Sequence, residues 1–186
     1  MAILTIIKEP NELLHKKATL VTKFDKTLED FAYDMLETTK ADNGIGLAAT
    51  QVIDDPRFHF DSIQDGYRAQ PAIIVNLESS EPIFAINPEI IEHSEEVFTS
   101  TEGCLSVNEI VSVKRFKNIV VKYFDFSGKE HIKEYNNCQK NYEGLVFQHE
   151  IDHLNGITIW TKAQEGLNPM QRLLFLKKIE QMNRKR

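Results

Sequence analysis

The stretch "QHEIDHLNG", residues 148–156, places two histidines four positions apart, with a glutamate after the first and an aspartate before the second. An α-helix turns about 100° per residue, so His149 and His153 lie about 40° apart on one helical face. With this spacing a helix gives two imidazoles to one metal ion, as in HExxH sites. A polar helix with two unrelated histidines is the alternative, because such pairs also arise by chance.

The two acidic residues of this stretch are equivalent by helix geometry. Glu150 and Asp152 each lie about 80° from the centre of the histidine pair, on opposite sides. Glutamate has the longer reach and suits proton transfer beside a bound water, whereas aspartate suits a supporting contact to a ligand. Solvent-facing charge is the alternative for both, and geometry alone does not choose between them.

The turns before the first histidine add an apolar stripe to the same face. Tyr142, Leu145 and Val146 share the face of the histidines, and Asn155-Gly156 is a typical helix stop. Such a stripe is ordinary core on most helices. Beside a metal ion, the same stripe would line a pocket for an apolar side chain.

Length and composition indicate one ordinary globular domain. The 186 residues predict one domain, 1–186, and the net charge of −6 argues against nucleic acid, including specific DNA, as the main ligand. The absence of a long uncharged apolar run predicts no transmembrane helix, and the first residues lack the pattern of a signal peptide. Cys104 and Cys138 are predicted to be reduced thiols in a cytosolic protein; a disulfide between them is the alternative.

Hydrophobic periodicity predicts strands between helices without regular alternation, which is typical of an α+β fold. Helical patterns precede the first glycine-rich stretch and return near the C-terminus, and alternating apolar patterns fill the middle of the chain. The predicted helices are 10–18, 27–42, 142–156 and 168–186, and the predicted strands are 58–62, 72–77, 83–91, 95–107 and two within 119–135 that turn at Ser127-Gly128.

Two histidines leave a metal ion under-coordinated, so a third ligand is needed. No histidine follows His153 in the chain, and the remaining soft candidate is Cys104 in "TEGCLSV". A lone cysteine after a glycine is more often a small buried apolar residue. Cys104 is therefore a candidate ligand that the residue type alone does not establish.

Three stretches together resemble the three signature motifs of the peptide deformylase family. They are "GIGLAATQ" at 44–51, "EGCLS" at 102–106 and "QHEIDHLNG" at 148–156, in this order. The segment 6–18, "IIKEPNELLHKKA", and the "DMLETT" at 34–39 resemble the same family. The resemblance implies mixed or antiparallel β-sheets around a central HExxH helix, followed by a C-terminal helix.

The resemblance also implies a metal centre. Cys104, His149 and His153 would hold one divalent ion, usually Fe²⁺ in this family, with Zn²⁺, Ni²⁺ or Co²⁺ able to occupy the same site. Glu150 would act as general base and then as general acid, which assigns the role that helix geometry left open. The implied reaction is hydrolysis of the formyl group of N-formylmethionyl nascent peptides in the bacterial cytoplasm, with release of formate.

Further site residues follow from the same resemblance. Gln51 and the backbone N–H of Leu105 would stabilise the oxyanion. Gly44 and Gly46 would let the backbone of the first motif lie against the substrate.

The substrate's methionine side chain is expected along the apolar stripe of the metal-binding helix. Leu145 and Val146 would line one side of this pocket, with Ile45 opposite. Tyr142 would close the pocket or lie at its rim.

Three charged residues within or near the motifs are expected to support the metal site. Glu102, Asp152 and Arg115 would orient the ligand histidines or the loop of Cys104. Surface charge is the alternative, more so for Arg115 than for Glu102.

The sequence departs from the family pattern at two places. Asn108 stands where the family often has proline, and no arginine follows before Arg115, so either the substrate-gripping arginine of many members has no counterpart or Lys114 replaces it. The resemblance is poorest between residues 54 and 82, and the segment 52–86 is longer than usual. Both departures bear on which peptides reach the site.

The C-terminal helix, 168–186, has a broad apolar face and a basic end. A docked helix with a solvated basic end is the simplest interpretation. Contact with the ribosome, through phosphate groups of ribosomal RNA, is the other. The apolar residues are Met170, Leu173, Leu174, Leu176 and Ile179.

Two other functional classes fit parts of the pattern. A metallo-endopeptidase shares HExxH but is disfavoured by Cys104 and by the lack of a ligand after His153. A non-catalytic metal-binding module is disfavoured because every proposed catalytic residue is present.

Overall fold

The fold consists of seven strands and four α-helices in the part of the chain that the structure, a computed structural model, describes: residues 2–52, 72–75 and 81–183. In chain order the elements are a 3₁₀ turn at Glu12–His15, α1 at Lys26–Ala41, β1 at Gly46–Ala48, a 3₁₀ turn at Ala49–Gln51, β2 at Ala72–Val75, β3 at Ile83–His93, β4 at Val97–Cys104, β5 at Val107–Phe116, β6 at Ile119–Phe124, β7 at Glu130–Tyr135, α2 at Tyr142–Leu154, α3 at Ile159–Ala163 and α4 at Pro169–Asn183.

The strands form two antiparallel sheets. The larger sheet has the order β1-β2-β3-β6-β7, and the smaller sheet pairs β4 with β5. Strand β5 alternates strictly between buried and exposed residues, from buried Val107 to buried Arg115. This alternation puts the side chains of one face of β5 against α3 and the other face toward solvent.

Helices α1 and α2 pack on the larger sheet through separate apolar clusters. Helix α1 begins at Asp25, whose side chain accepts a hydrogen bond from Leu28 N at 3.1 Å. Its buried residues recur at helical spacing and pack against β1 and β3 around Leu47 and Ile86. Helix α2 buries Phe147 against Tyr123 and the other sheet residues of the second cluster. The two helices thereby fix the position of the short strand β1.

Helix α2 is fixed at both ends by local chemistry. Asn141 caps its start by accepting a hydrogen bond from Gly144 N at 3.3 Å. At Gly144 an added Cβ would lie 2.6 Å from Tyr135 Cβ, so only glycine lets the helix approach β7 this closely. The helix ends at Asn155, and Gly156 follows with a φ of +75°, a conformation that favours glycine.

The α+β fold predicted from sequence is confirmed, with differences in individual elements. The predicted helix at 10–18 is a single 3₁₀ turn, and strand β5 was missed although its valines alternate. The predicted strand at 72–77 is present as β2, and its last two residues lie outside the described residues, as does the predicted strand at 58–62. Both cysteines are free, as predicted.

Helix α4 begins where the sequence predicts, but its apolar face is largely solvent-exposed. Phe175 is partly buried on the cluster of β5 and α3, and Ile179 is buried. The prediction of a broad docked face is therefore wrong for the exposed residues Met170, Leu173, Leu174 and Leu176. None of the helices within residues 2–52, 72–75 and 81–183 has the length and apolar character needed to cross a membrane.

Candidate metal and catalytic centre

Cys104, His149 and His153 meet where the end of β4 faces α2. Their candidate ligand atoms all lie within 4.8 Å of one another, and Cys104 Sγ is 3.1 Å from His153 Nε2. Cys104 is the last residue of β4 and pairs with Val107 across a register shift, which turns the strand end toward the helix. The helix thus places two imidazoles, and the strand one thiol, close enough together to be candidate ligands of one ion.

His149 is held by a carboxylate on its far nitrogen. His149 Nδ1 lies 2.8 Å from Glu102 Oε2, which leaves Nε2 for the side facing Cys104. Burial alone would lower the pKa of His149, but hydrogen bonds to Cys104 and Glu102 raise it well above its ordinary value. The pKa of His153 is instead lowered well below its ordinary value, first by burial and then by the neighbouring charges of His149 and Arg115.

Arg115 joins the two acidic residues of this region. It donates to both oxygens of Glu102 at 2.8 Å each, and its other terminal nitrogen binds Asp152. Although burial raises the pKa of Glu102, the hydrogen bonds from Arg115 and His149 lower it well below its usual range. Arg115 is 3% exposed, so surface charge is the wrong interpretation for this residue. The arginine keeps Glu102 ionised and aimed at His149.

Glu150 and Asp152, equivalent on the helical wheel, are placed in different surroundings. Glu150 is buried, and its Oε2 has no hydrogen-bond partner among the described residues. Burial raises the pKa of Glu150 to about 7, Glu102 adds to this rise, and the neighbouring charges of His149 and Arg115 oppose it. Asp152 points instead to Arg115 and Lys162. Of these two residues, Glu150 is the one that offers the site a carboxylate oxygen without a partner among the described residues.

The side-chain amide of Gln51 is oriented by hydrogen bonds. Gln51 Oε1 accepts from Ala48 N at 2.8 Å, so its Nε2 donates on the other side, to Ser106 Oγ at 3.0 Å and toward Cys104 Sγ at 3.6 Å. Ser106 N also donates to Cys104 Sγ, at 3.4 Å. The sulfur thus has two N–H donors, which fix its position beside the side-chain amide of Gln51.

The cavity beside these residues measures about 460 Å³. Every residue predicted to bind substrate lines this cavity, and so do the candidate catalytic residues. Of the candidate metal ligands, Cys104 and His149 line it, whereas His153 is buried. Tyr142 is 62% exposed and Ile45 is 48% exposed, so both lie at its rim. Lys114 lies outside this cavity and lines a separate one of about 220 Å³, which places it away from the substrate pocket. The predicted lining residues are Gly44, Ile45, Gly46, Gln51, Leu105, Tyr142, Leu145, Val146 and Glu150.

Ser106 and Gln148 lie beside the site and were not assigned roles from sequence. Gln148 accepts from Phe116 N at 2.8 Å and donates to Phe116 O at 3.0 Å, so it joins α2 to the end of β5. Both residues lie within the quoted motifs, and this position could have indicated that they belong to the site. Their polar partners lie in distant parts of the chain, which residue type does not reveal.

The donor set fits a divalent metal ion. One thiol and two imidazoles suit Zn²⁺ and Fe²⁺, and three protein ligands leave a position for water or substrate. The buried carboxylate of Glu150 with an unpartnered oxygen also fits a site that a ligand completes. The residues present therefore fit the ion that the motifs imply.

An HExxH helix that meets a cysteine from a neighbouring strand presents the kind of donor set that metal-dependent hydrolases use. The family model described as polypeptide deformylase matches residues 3–168 of this chain. The chain belongs to the polypeptide deformylase family of enzymes.

Similar proteins support this assignment along most of the chain. A peptide deformylase of Thermotoga petrophila is 39% identical over 168 residues, which cover 90% of this chain and 88% of that protein. The crystal structure of peptide deformylase from Thermotoga maritima has a TM-score of 0.73 at 34% identity and covers 87% of this chain and 98% of its own. A peptide deformylase structure from Legionella pneumophila has a TM-score of 0.76 at 28% identity, covering 98% and 96%.

Proposed function

We propose that this protein is a metal-dependent hydrolase that removes the formyl group from the N-terminal methionine of newly synthesised proteins and releases formate. The observation that carries the proposal is the unpaired, buried carboxylate of Glu150 beside the cluster of Cys104, His149 and His153, at a cavity with an apolar wall. The proposed substrate places the enzyme in the bacterial cytoplasm.

Cys104, His149 and His153 are the proposed ligands, and Fe²⁺ is the proposed ion, with Zn²⁺, Ni²⁺ or Co²⁺ as replacements. When bound, a divalent ion at such a site lowers the pKa of a coordinated water and polarises the carbonyl oxygen of the substrate. Glu102 and Arg115 hold His149 in the orientation that presents Nε2, and Asp152 holds Arg115.

Glu150 is the proposed proton carrier. Its carboxylate takes a proton from the attacking water and delivers it to the amine that leaves the formyl carbon. The position of Glu150 supports this role, because an added Cβ on Gly46 would lie 2.4 Å from Glu150 Oε1. The first-motif backbone thus packs directly against the Glu150 carboxylate where both line the cavity.

Gln51 and Leu105 are the proposed donors to the oxyanion that forms at the formyl oxygen. The side-chain amide of Gln51 is aimed because its Oε1 accepts from Ala48 N and its Nε2 donates to Ser106 Oγ. The backbone N–H of Leu105 belongs to the residue after Cys104. Donors fixed before the reaction stabilise developing charge without reorganisation, typically by about 3 kcal/mol each.

The apolar wall of the cavity is the proposed site for the methionine side chain. Leu145 and Val146 form this wall on α2, with Ile45 opposite and Tyr142 at the rim. Gly44 and Gly46 bring the first-motif backbone against the bound peptide.

The deciding experiment combines metal analysis with turnover of a formyl-Met tripeptide by protein loaded anaerobically with Fe²⁺. We expect Glu150→Gln to retain wild-type metal content and to lose turnover by more than about 100-fold. Glu37→Gln, at an ion-paired glutamate on α1, serves as the matched control and keeps wild-type turnover. A loaded wild-type protein without deformylation would support a non-catalytic metal-binding module, and cleavage inside unformylated peptides would support an endopeptidase.

We also propose that α4 contacts the ribosome, with phosphate groups of ribosomal RNA as the partner of its basic residues. The basic residues at the end of the sequence, Arg184, Lys185 and Arg186, support this proposal. Deleting the residues after Ile179 should lower co-sedimentation with ribosomes and leave turnover of a short peptide unchanged. Unchanged co-sedimentation of the shortened protein would reject the contact.

A further inference from the structure

Residues 7–9, here called the N-terminal strap, bind the backbone beside both proposed oxyanion donors. Ile7 N donates to Gln51 O at 2.9 Å, and Glu9 N donates to Ser106 O at 2.8 Å. Between them, the ammonium group of Lys8 donates to Leu105 O. Three consecutive residues therefore hold the carbonyls of the first and second motifs.

The strap is anchored at its far end by the side chain of Glu9. This side chain is 3% exposed, and its Oε1 accepts a hydrogen bond from Thr158 Oγ1 at 2.7 Å. Its Oε2 lies 3.3 Å from His15 Nε2. Thr158 is buried and immediately precedes α3, so the strap also reaches the chain that follows the third motif.

Each contact restrains a group that has to be in place before the reaction. The carbonyl of Leu105 and the N–H of Ser106 belong to one rigid peptide plane, so a bond to the carbonyl limits rotation of that plane. Ser106 Oγ in turn accepts from Gln51 Nε2. Lys8 and Glu9 therefore restrain the loop that carries the Leu105 N–H and the hydroxyl that aims the Gln51 amide.

We propose that Lys8 and Glu9 are positioning residues for deformylation, which act through Leu105, Ser106 and Gln51. This inference rests on the proposed function, because it concerns donors to the oxyanion of that reaction. Oxyanion donors contribute most when they are held in the reactive geometry in advance. The strap supplies this restraint from outside all three motifs, and the residues that line the cavity do not include Lys8 or Glu9.

The first test compares Lys8→Met, which removes the ammonium group and keeps the chain length, with Lys8→Arg, which keeps a cationic donor. We expect Lys8→Met to lower kcat on the order of tenfold with KM changed by less than about twofold, and Lys8→Arg to recover most of the loss. Metal content and Tm should stay at wild-type values in both. Lys17→Met, at an exposed lysine on the nearby chain, is the matched control with wild-type kcat.

The second test removes the anchor. Thr158→Val deletes the hydroxyl that donates to Glu9 and preserves side-chain shape, so it should lower kcat in the same direction. Combined with Lys8→Met, its effect should be less than additive, because both changes release the same strap. Full additivity, or a loss of kcat that tracks a loss of metal, would overturn the proposal.

A spectroscopic measurement separates this inference from the proposed function. In backbone amide NMR spectra, Lys8→Met should shift the Ser106 signal, since the nitrogen of Ser106 belongs to the peptide group that Lys8 contacts. An active wild-type enzyme with unchanged kcat or unchanged Ser106 shift in Lys8→Met overturns the strap alone. An inactive, iron-loaded wild type overturns the proposed function and the strap with it.

Discussion

Glu102 Oε2 lies 2.8 Å from His149 Nδ1, and the same oxygen accepts a hydrogen bond from Arg115 at 2.8 Å. One carboxylate therefore holds a candidate metal ligand and a buried cation at once. The orientation of His149 depends on this carboxylate, and the carboxylate depends on the arginine. Substitutions of Glu102 and of Arg115 therefore test these two dependencies separately.

Replacing Glu102 by glutamine should weaken metal retention. The amide keeps the size of the side chain but removes the negative charge that favours proton donation from His149 Nδ1. Loss of such a partner typically costs about 10–100-fold in metal affinity. Metal content after timed exposure to a chelator measures the effect, and Glu96→Gln, at the exposed pair with Lys117, is the control. Equal retention in both variants would contradict the role of Glu102.

Arg115→Met should destabilise the protein. The change leaves the carboxylates of Glu102 and Asp152 without their common cation in a buried region. Breaking a buried ion pair in this way typically costs about 3–5 kcal/mol. The free energy of unfolding in urea measures the cost. Arg115→Lys keeps the charge but not the paired hydrogen bonds to Glu102, so an intermediate value is expected. A methionine variant as stable as wild type would show that the arginine is dispensable for folding.

Gly46→Ala should disturb Glu150 directly. An added Cβ would lie 2.4 Å from Glu150 Oε1 and 2.6 Å from Val146 Cγ1, so the carboxylate or the strand must move. We expect a loss of about 1–3 kcal/mol in stability together with reduced kcat. At Gly103 an added Cβ meets nothing within 4 Å, so the Tm of Gly103→Ala should match wild type. Similar Tm values for both variants would refute the crowding at Gly46.

Asp125→Asn should flatten the dependence of stability on acid pH. The hydrogen bonds from His131 and Ser127 lower the pKa of Asp125 in the folded protein. A folded-state pKa below the unfolded value gives stability that is present above about pH 4 and is lost as the pH falls further. Wild type should therefore lose more Tm than the variant between about pH 5 and pH 2. Parallel Tm profiles for the two proteins would exclude this contribution.

The histidine pair and its apolar neighbours were predictable because they depend on helical spacing within one element. His149, His153 and Val146 share a face in the structure as they do on the wheel. The division of labour between Glu150 and Asp152 was not predictable from spacing. It arises because Arg115, on β5 of the smaller sheet, forms an ion pair with Asp152. Glu150 Oε2 has no hydrogen-bond partner among the described residues.

The burial of Arg115 was predictable from the alternation of residues along β5, although an arginine by itself suggests the protein surface. Val111, Val113 and Arg115 alternate along β5 and therefore point to the same buried face. A charged residue on such a face indicates partners, which lie at Glu102 and Asp152. The strap had no comparable signal, because Lys8 and Leu105 are separated by 97 positions in sequence.

The bond between Glu9 and Thr158 joins residues 149 positions apart, so the N-terminal strap is anchored only when nearly the whole described chain is in place. A chain that is still being synthesised and has not reached Thr158 lacks this anchor, whatever helices and strands it has formed. We therefore expect activity to emerge abruptly, late in the making of each molecule. For the same reason, a single proteolytic cut between the strap and Thr158 would yield two fragments that have to associate for full activity.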